Sequence, residues 1–426
     1  KTMIKFIIKG ILRDKSKSII PIAVISVGVM VTVMMSGFLE GIFSDVINQN
    51  AKLDTGHVKI MTKPYAENKE QLPNDLALLE INELIDSLNL NYPDLIWTPR
   101  IKFGGIMDVP DASGNTKSQG PGMGLAMSIQ NKESGELQRL QLKKSLNKGR
   151  LPERSGEIIL SDDYATKLNI SPGEKITFFG TTMEGSMVFQ SFEMTGTVRF
   201  GSPLMDKGTF IIDISDAQNM LDMENGTGEL LGYFKDNRYD DQKALIISEN
   251  FNTKFNESKD EYAPMMLTLK DQNGLRESLD MGDAFSGIFI FIFILAMSLV
   301  LWNTGLIGGL RRYNEFGIRL ALGESKNNVF KLLLIEASVI GTIGSIIGTI
   351  LGVVFCYYLQ EVGIDISEDT ANSTIIMPSV MRAYVTPNLF FIGFIPGLFS
   401  MLFGTALAGR GIYKRETARL FKELEV

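Results

Sequence analysis

Gly308–Glu336 reads GGLRRYNEFGIRLALGESKNNVFKLLLIE and lies between two apolar runs, each long enough to cross a bilayer. The stretch is therefore a charged link that joins two membrane helices on one side. Within it Arg312, Glu315 and Arg319 fall at i, i+3 and i+7, one helical face with the acid placed to pair with either arginine. Phe316, Leu320 and the Ile318, Leu322 pair supply apolar surface around that face. Gly323 stands where a helix stops in a left-handed cap, and Ser325 is placed to cap a second helix that runs on through Val329 and Phe330 into the membrane. The pattern predicts a helix on the membrane surface, rigidly joined to the spanning helix after it.

Working outward, residues 1–18 alternate apolar and basic, as in an amphipathic helix lying in the headgroup layer. Residues 19–40 form the first span, with Pro21 near its start, where proline is tolerated. No small-residue cleavage site follows this run, so it is expected to remain as a membrane helix rather than to leave as a signal peptide. Residues 41–283 are a large soluble part of mixed α/β character, expected to form two subdomains. The second span covers residues 284–307, with Trp302 as an interfacial anchor. After the link at 308–331, the third span covers 332–359, where Gly344, Gly348 and Gly352 bare one face for close helix packing. An outer loop at 360–388, a fourth span at 389–409 and a tail at 410–426 complete the chain. The fold class is α+β: four transmembrane helices, with the large domain inserted between the first and second.

Lysines and arginines set the orientation. The N-terminal segment, the link and the tail carry five or six each, and the 360–388 loop carries only Arg382. Both termini and the link are expected in the cytoplasm and the large domain outside it. A net charge of -7, with basic residues gathered near the apolar runs, gives no reason to propose nucleic-acid binding. The single cysteine, Cys356, lies inside an apolar run and leaves no internal disulfide to form.

In the soluble part, Asp54–Ile60 alternates like a strand entering a sheet, and Asn74–Leu88 reads as a helix with Leu76, Leu79, Ile81 and Leu84 on one face. Strands follow at Trp97–Met107 and Gly124–Ile129. Next come Gly149-Arg150-Leu151-Pro152-Glu153, then Glu157–Leu160, then Ala165-x-x-Leu168-x-Ile170-x-Pro172-Gly173-Glu174-Lys175-Ile176, which read as strand, short helix, turn and strand. Phe192–Phe200 and Gly208–Ile214 continue as strands, and Ser215–Leu221 as a capped helix. Residues 239–283 read as mixed, with a last helix from about Gly274.

Two of these strings resemble one family. Arg312-x-x-Glu315-Phe316-Gly317-Ile318-Arg319-x-Ala321-Leu322-Gly323-x-Ser325 is similar to a segment of ABC-transporter permeases of the FtsX/MacB/Lol superfamily. Leu320 stands where that pattern has a basic residue and Glu324 where it has alanine. The Gly149–Ile176 segment resembles the extracytoplasmic domain of the same superfamily, and the four-span layout extends the resemblance over nearly the whole chain. The resemblance implies a coupling helix, carried here by Arg312, Glu315, Phe316, Gly317, Arg319, Leu322 and Gly323, that docks on a cytoplasmic ATPase subunit. It further implies a dimer of permeases, identical or paralogous, on two ATPase copies, with motion passed to the outer domain and no transmembrane channel. Lacking an ATPase of its own, the chain looks most like the lipoprotein-releasing permeases of the LolC/LolE type, which pass acylated lipoproteins from the inner membrane to a periplasmic carrier. Efflux of the MacB kind and FtsX-like control of a cell-wall hydrolase are the alternatives.

The chemistry in the sequence agrees with a subunit that is not itself an enzyme. No G-x-x-x-x-G-K-[ST] occurs, so ATP and magnesium are expected on the partner subunit, with no cofactor here. His57 is the single histidine and reads as structural, and no acid pair or cysteine cluster suggests catalysis or a metal. Glu336 lies about one turn inside the third span, where it reads as an anchor. Val27, Met30, Val31, Met34, Phe289, Phe293 and Met297 on the first two spans are candidates for a surface that receives acyl chains.

Overall fold

The computed structural model describes residues 15–131, 134–255, 260–310, 313–366, 378 and 380–414. Most of the expected surface helix at 1–18 and of the tail at 410–426 lies outside them. The chain divides into two compact units, one built on the described residues up to Ser44, on Asp280–Ile364 and on those from Met381, the other chiefly on Asp45–Leu279.

The first long helix, α1 (Lys15–Asn50), ends in a π-helical turn, Ala51–Thr55, and Gly56 at φ +62 then releases the chain into β1 (Val58–Thr62). Asp54 thus belongs to the helix end, and the strand expected from it starts four residues later. The expected helix over Asn74–Leu88 also begins late, as α2 (Ile81–Asn91). Leu78 exchanges both backbone hydrogen bonds with Thr227 at 2.9 Å, and Glu80 takes a left-handed φ of +54, so the chain cannot be helical there. Leu79, expected on the buried face, is consequently exposed.

The remaining strands are β2 (Leu95–Pro110), β3 (Thr116–Met127), β4 (Leu146–Gly149), β5 (Glu157–Ser161), β6 (Lys175–Thr181), β7 (Met187–Val198), β8 (Thr209–Asp213), β9 (Glu229–Phe234) and β10 (Pro264–Thr268). The third strand starts earlier than the expected Gly124 because it pairs with β2 over Arg100–Pro110. Between β9 and β10 lies α3 (Asp241–Phe255), a helix that the mixed composition of the segment concealed.

The sheet order is β10-β1-β9-β2-β3-β8-β5-β7-β4, and β6 pairs with both β7 and β2. The pairings therefore run β2–β3–β8–β5–β7–β6 and return to β2, a closed ring of strands. Alternate residues point inside it: Ile101 and Phe103 from β2, Ile158 and Leu160 from β5, Phe178 from β6, Phe192 from β7 and Phe210 from β8 share one buried cluster. Gly124 leaves room there, since a Cβ would stand 2.2 Å from the Phe103 ring. A second cluster lies on the other half of the sheet, where Val58, Ile60, Leu230 and Met266 meet Ile81 and Leu88 of α2 and Phe251 of α3. The long strand β2 serves both cores.

The Gly149–Glu157 motif gains a physical reason. Arg150 grips Glu157 with two hydrogen bonds, of 2.8 and 2.6 Å, and the Glu157 carboxylate also accepts from the backbone N–H of Glu153 at 2.8 Å. The Arg150 bonds outweigh the effect of burial and hold the Glu157 carboxyl well below its ordinary pKa. His57 is buried, and its Nδ1 accepts from the Phe234 N–H at 3.0 Å.

The other unit holds α1 up to Ser44, α4 (Leu275–Leu310) from Asp280 on, α5 (Tyr313–Ala321), α6 (Lys326–Val362) and α7 (Phe394–Lys414). A short helical turn, Leu389–Ile392, precedes α7 and is separated from it by Gly393. Among the described residues, four stretches are long and apolar enough to cross a membrane: Ser18–Thr55, Leu275–Gly308, Lys326–Val362 and Leu389–Arg410.

Candidate coupling site and membrane helices

The link folds as its caps dictate. After Ala321 ends α5, Gly323 adopts φ +91, its N–H donates to the Leu320 carbonyl at 3.1 Å, and the Glu324 N–H donates to the Arg319 carbonyl at 3.1 Å. This pair of bonds is a Schellman stop, which satisfies carbonyls that the helix end leaves without partners. Ser325 then accepts from the Asn328 N–H and starts α6. Glu324, one of the two departures from the family pattern, accepts from Asn328 Nδ2 at 2.9 Å and so ties the elbow to the first turn of α6.

Gly317 is buried, Glu315 half-buried and Arg319 exposed. Arg312 and the Phe316 side chain lie outside the described residues. Ile318 and Leu322, one helical turn apart, are 52% and 82% exposed, so α5 presents an apolar pair beside the arginine.

The glycine ladder of α6 lies against α1. A Cβ on Gly344 would stand 2.8 Å from the Ile25 Cβ, one on Gly348 would stand 2.5 Å from the Ser26 carbonyl oxygen, and one on Gly352 would stand 2.8 Å from the Val33 Cβ. The two helices approach closely because these side chains are missing. Ile25, Val29 and Val33 are accordingly buried.

Met30, Val31 and Met34 on α1 are half-buried, as are Phe293 and Met297 on α4. The structure brings Met297 onto α1, where its Cε lies 1.8 Å from the place a Gly28 Cβ would take. Val27 and Phe289 are 58% and 49% exposed, so within one chain these two stand on open apolar surface and not in an enclosed cavity. Glu336 is half-buried on α6. Trp302, expected as an interfacial anchor, makes an edge-on contact with Phe403 of α7 at 5.6 Å between ring centres. The sequence signal for that packing was Gly404, which lets the Trp302 backbone approach α7.

Among the described residues the chain combines four membrane-capable helices, a closed-ring α/β unit and a capped helical elbow. Residues 287–417 match the family described as FtsX-like permease C-terminal. Among curated proteins, the lipoprotein-releasing system transmembrane protein LolC of Xylella fastidiosa is 24% identical over 237 residues, 54% of this chain and 54% of the relative. The macrolide export ATP-binding/permease protein MacB of Campylobacter jejuni is 21% identical over 93% of this chain and 58% of the relative. The chain thus spans little more than half the length of the curated relatives it matches. Among solved structures, the periplasmic region of MacB from Actinobacillus actinomycetemcomitans is similar with a TM-score of 0.36 and 12% identity, covering 54% of this chain and 95% of that one.

Proposed function

We propose that the chain is the membrane subunit of an ATP-driven, mechanotransmission (type VII) permease in the inner membrane, working as a dimer on two copies of a cytoplasmic ABC ATPase. Its termini and α5 face the cytoplasm, and the sheet unit, inserted between the first and second spans, faces the periplasm. The observation that carries this reading is the elbow: a surface helix with an exposed apolar pair, joined to α6 by a Schellman stop and a serine cap. Such a joint passes a displacement of α5 to α6 without bending. ATP and magnesium bind the partner subunit, whose closure moves α5.

The substrate proposed is an acylated lipoprotein, extracted from the outer leaflet onto the apolar surface that includes Met34 and Phe293 and passed to a periplasmic carrier. Support comes from the similarity to a lipoprotein-releasing subunit. The second reading is efflux of peptides or amphiphiles, favoured by the similarity to a macrolide export protein over 93% of this chain.

The test is ATP-dependent release of a labelled triacylated lipoprotein from proteoliposomes that hold this chain, its ATPase and any paralogue, with a soluble carrier as acceptor. Release is expected, and charged residues at Met34 and Phe293 are expected to stop it. Release unchanged by those substitutions removes the acyl-chain surface, and no release from a complex that hydrolyses ATP moves the assignment to efflux or hydrolase control.

A further inference from the structure

Helix C-termini leave carbonyls without partners, and many end at a glycine that lets the chain turn back to satisfy them. The π turn that ends α1 has such a glycine, Gly56, whose N–H donates to the Ala51 carbonyl at 3.0 Å, and side chains hold it as well. Tyr233 Oη donates to the Ala51 carbonyl at 3.0 Å, and the Arg100 guanidinium donates to the carbonyls of Lys52 at 2.9 Å and Leu53 at 3.1 Å. Asp54 pairs with Lys59 and Lys102, and Gln272 Nε2 donates to the Thr55 carbonyl at 3.2 Å. Every residue of the turn is therefore gripped by a side chain from the sheet unit. The gripping side chains alternate with core residues along their strands: Arg100 and Lys102 on β2, Lys59 on β1 and Tyr233 on β9 share the face turned away from α2 and α3.

The socket is buried and charged. Arg100, Lys59, Tyr233 and Gln272 are each no more than 2% exposed. Glu136 accepts from Arg100 at 2.7 Å, and Glu229 lies 3.0 Å from both Lys59 and Lys102. Burial works against charge on Lys102, but Asp54 and Glu229 overcome it and hold the ammonium above the usual lysine range. A buried ion network adds little net stability over an apolar core, yet it fixes one geometry, because each charge tolerates only a position that keeps its partners. Cations around a helix C-terminus also match the negative end of its dipole. Asp54 does one thing more: it accepts from Asn273, two residues before α4 begins. The end of the helix that leads into the sheet unit and the start of the helix that leaves it are thus tied at one carboxylate.

We propose that this socket, centred on Arg100 and Asp54, is the joint through which motion of the membrane helices is delivered to the sheet unit. The residues are positioning residues, and the proposal rests on the reading of the chain as an ATP-driven permease. A rigid joint transmits a helix displacement, whereas a loosened one lets the helix end rotate in place while ATP is consumed.

The experiment uses the full complex in proteoliposomes, in a Cys356→Ser background with an environment-sensitive dye on Ser186→Cys, an exposed site between β6 and β7. The ATP-driven change in dye signal, the rate of ATP hydrolysis and lipoprotein release are read together. Arg100→Met is expected to hydrolyse ATP within twofold of the unaltered complex and to lose about tenfold of the dye response. Asp54→Asn and Tyr233→Phe, each removing one grip with little change of shape, are expected to lose two- to fivefold, so the proposal stands testable even where Arg100→Met does not assemble. A full dye response in Asp54→Asn and Tyr233→Phe overturns the joint. A full dye response in the unaltered complex without lipoprotein release overturns the substrate reading alone and leaves the joint to be judged on the dye.

Discussion

Ser26 Oγ on α1 donates to the Gly344 carbonyl on α6 at 3.1 Å, a hydrogen bond between two spanning helices. It is possible because glycine at 344, 348 and 352 lets the backbones meet. Gly348→Val is expected to force α1 and α6 apart, since its Cβ would lie 2.5 Å from the Ser26 carbonyl oxygen, which is backbone and cannot swing away. Overpacking of this kind costs roughly 1–3 kcal/mol. Thermal unfolding in detergent should show the loss, and a midpoint equal to that of the unaltered chain would remove the close approach.

Leu322→Asp should separate folding from partner binding. The residue is 82% exposed, so stability should stay within about 0.5 kcal/mol. Association with the ATPase subunit, measured by titration in detergent, is expected to weaken at least about tenfold, as for an apolar anchor at an interface. Equal affinity would take α5 out of the docking surface.

His57 supplies a pH test, because it is the single histidine. Burial, helped by the Arg139 cation, lowers its pKa from 6.5 to about 4. The unfolded chain therefore takes up the proton first, so the His57 contribution is full above pH 6.5 and is lost as the pH falls toward 4, by about 3 kcal/mol at most. Asp206, pushed up to about 6 by burial, titrates with the opposite sign. The measurement is thus the difference in urea unfolding between the chain and His57→Asn, which keeps an acceptor for the Phe234 N–H. A difference that stays constant from pH 4 to 7 would contradict the buried neutral imidazole.

Glu157 acts in a lower window. Its folded pKa is depressed, so its contribution is present above the unfolded value of 4.5 and disappears as the pH falls below it. Glu157→Gln is expected to lower the urea midpoint at pH 7 and to flatten the acid limb below pH 4.5. An unchanged midpoint would show that the Arg150 grip contributes nothing.

The elbow was legible in the sequence because its signals are local. Gly323 must take a positive φ, Ser325 must cap, and both act within a turn of the residues that need them. The spans and the Gly344 ladder were legible for a similar reason, since length, apolarity and a fourfold spacing are properties of a single helix. Local reading failed where a distant partner won. Asn74–Leu88 has helical spacing, but Thr227 claims the Leu78 backbone; Asp54 has the alternation of a strand, but Arg100 and Tyr233 hold the turn around it as a helix end.

By itself, then, the sequence determined that the chain crosses a membrane, where its surface helix stops and which helix face is bare, because these depend on neighbours a few residues away. Only the tertiary structure decided that β6 returns to β2 to close a ring and that Arg100, Lys102 and Tyr233 converge on the end of α1. Strand pairings and buried ion pairs join residues far apart in the chain, and their energy exists only once the intervening segments have folded and water has been excluded.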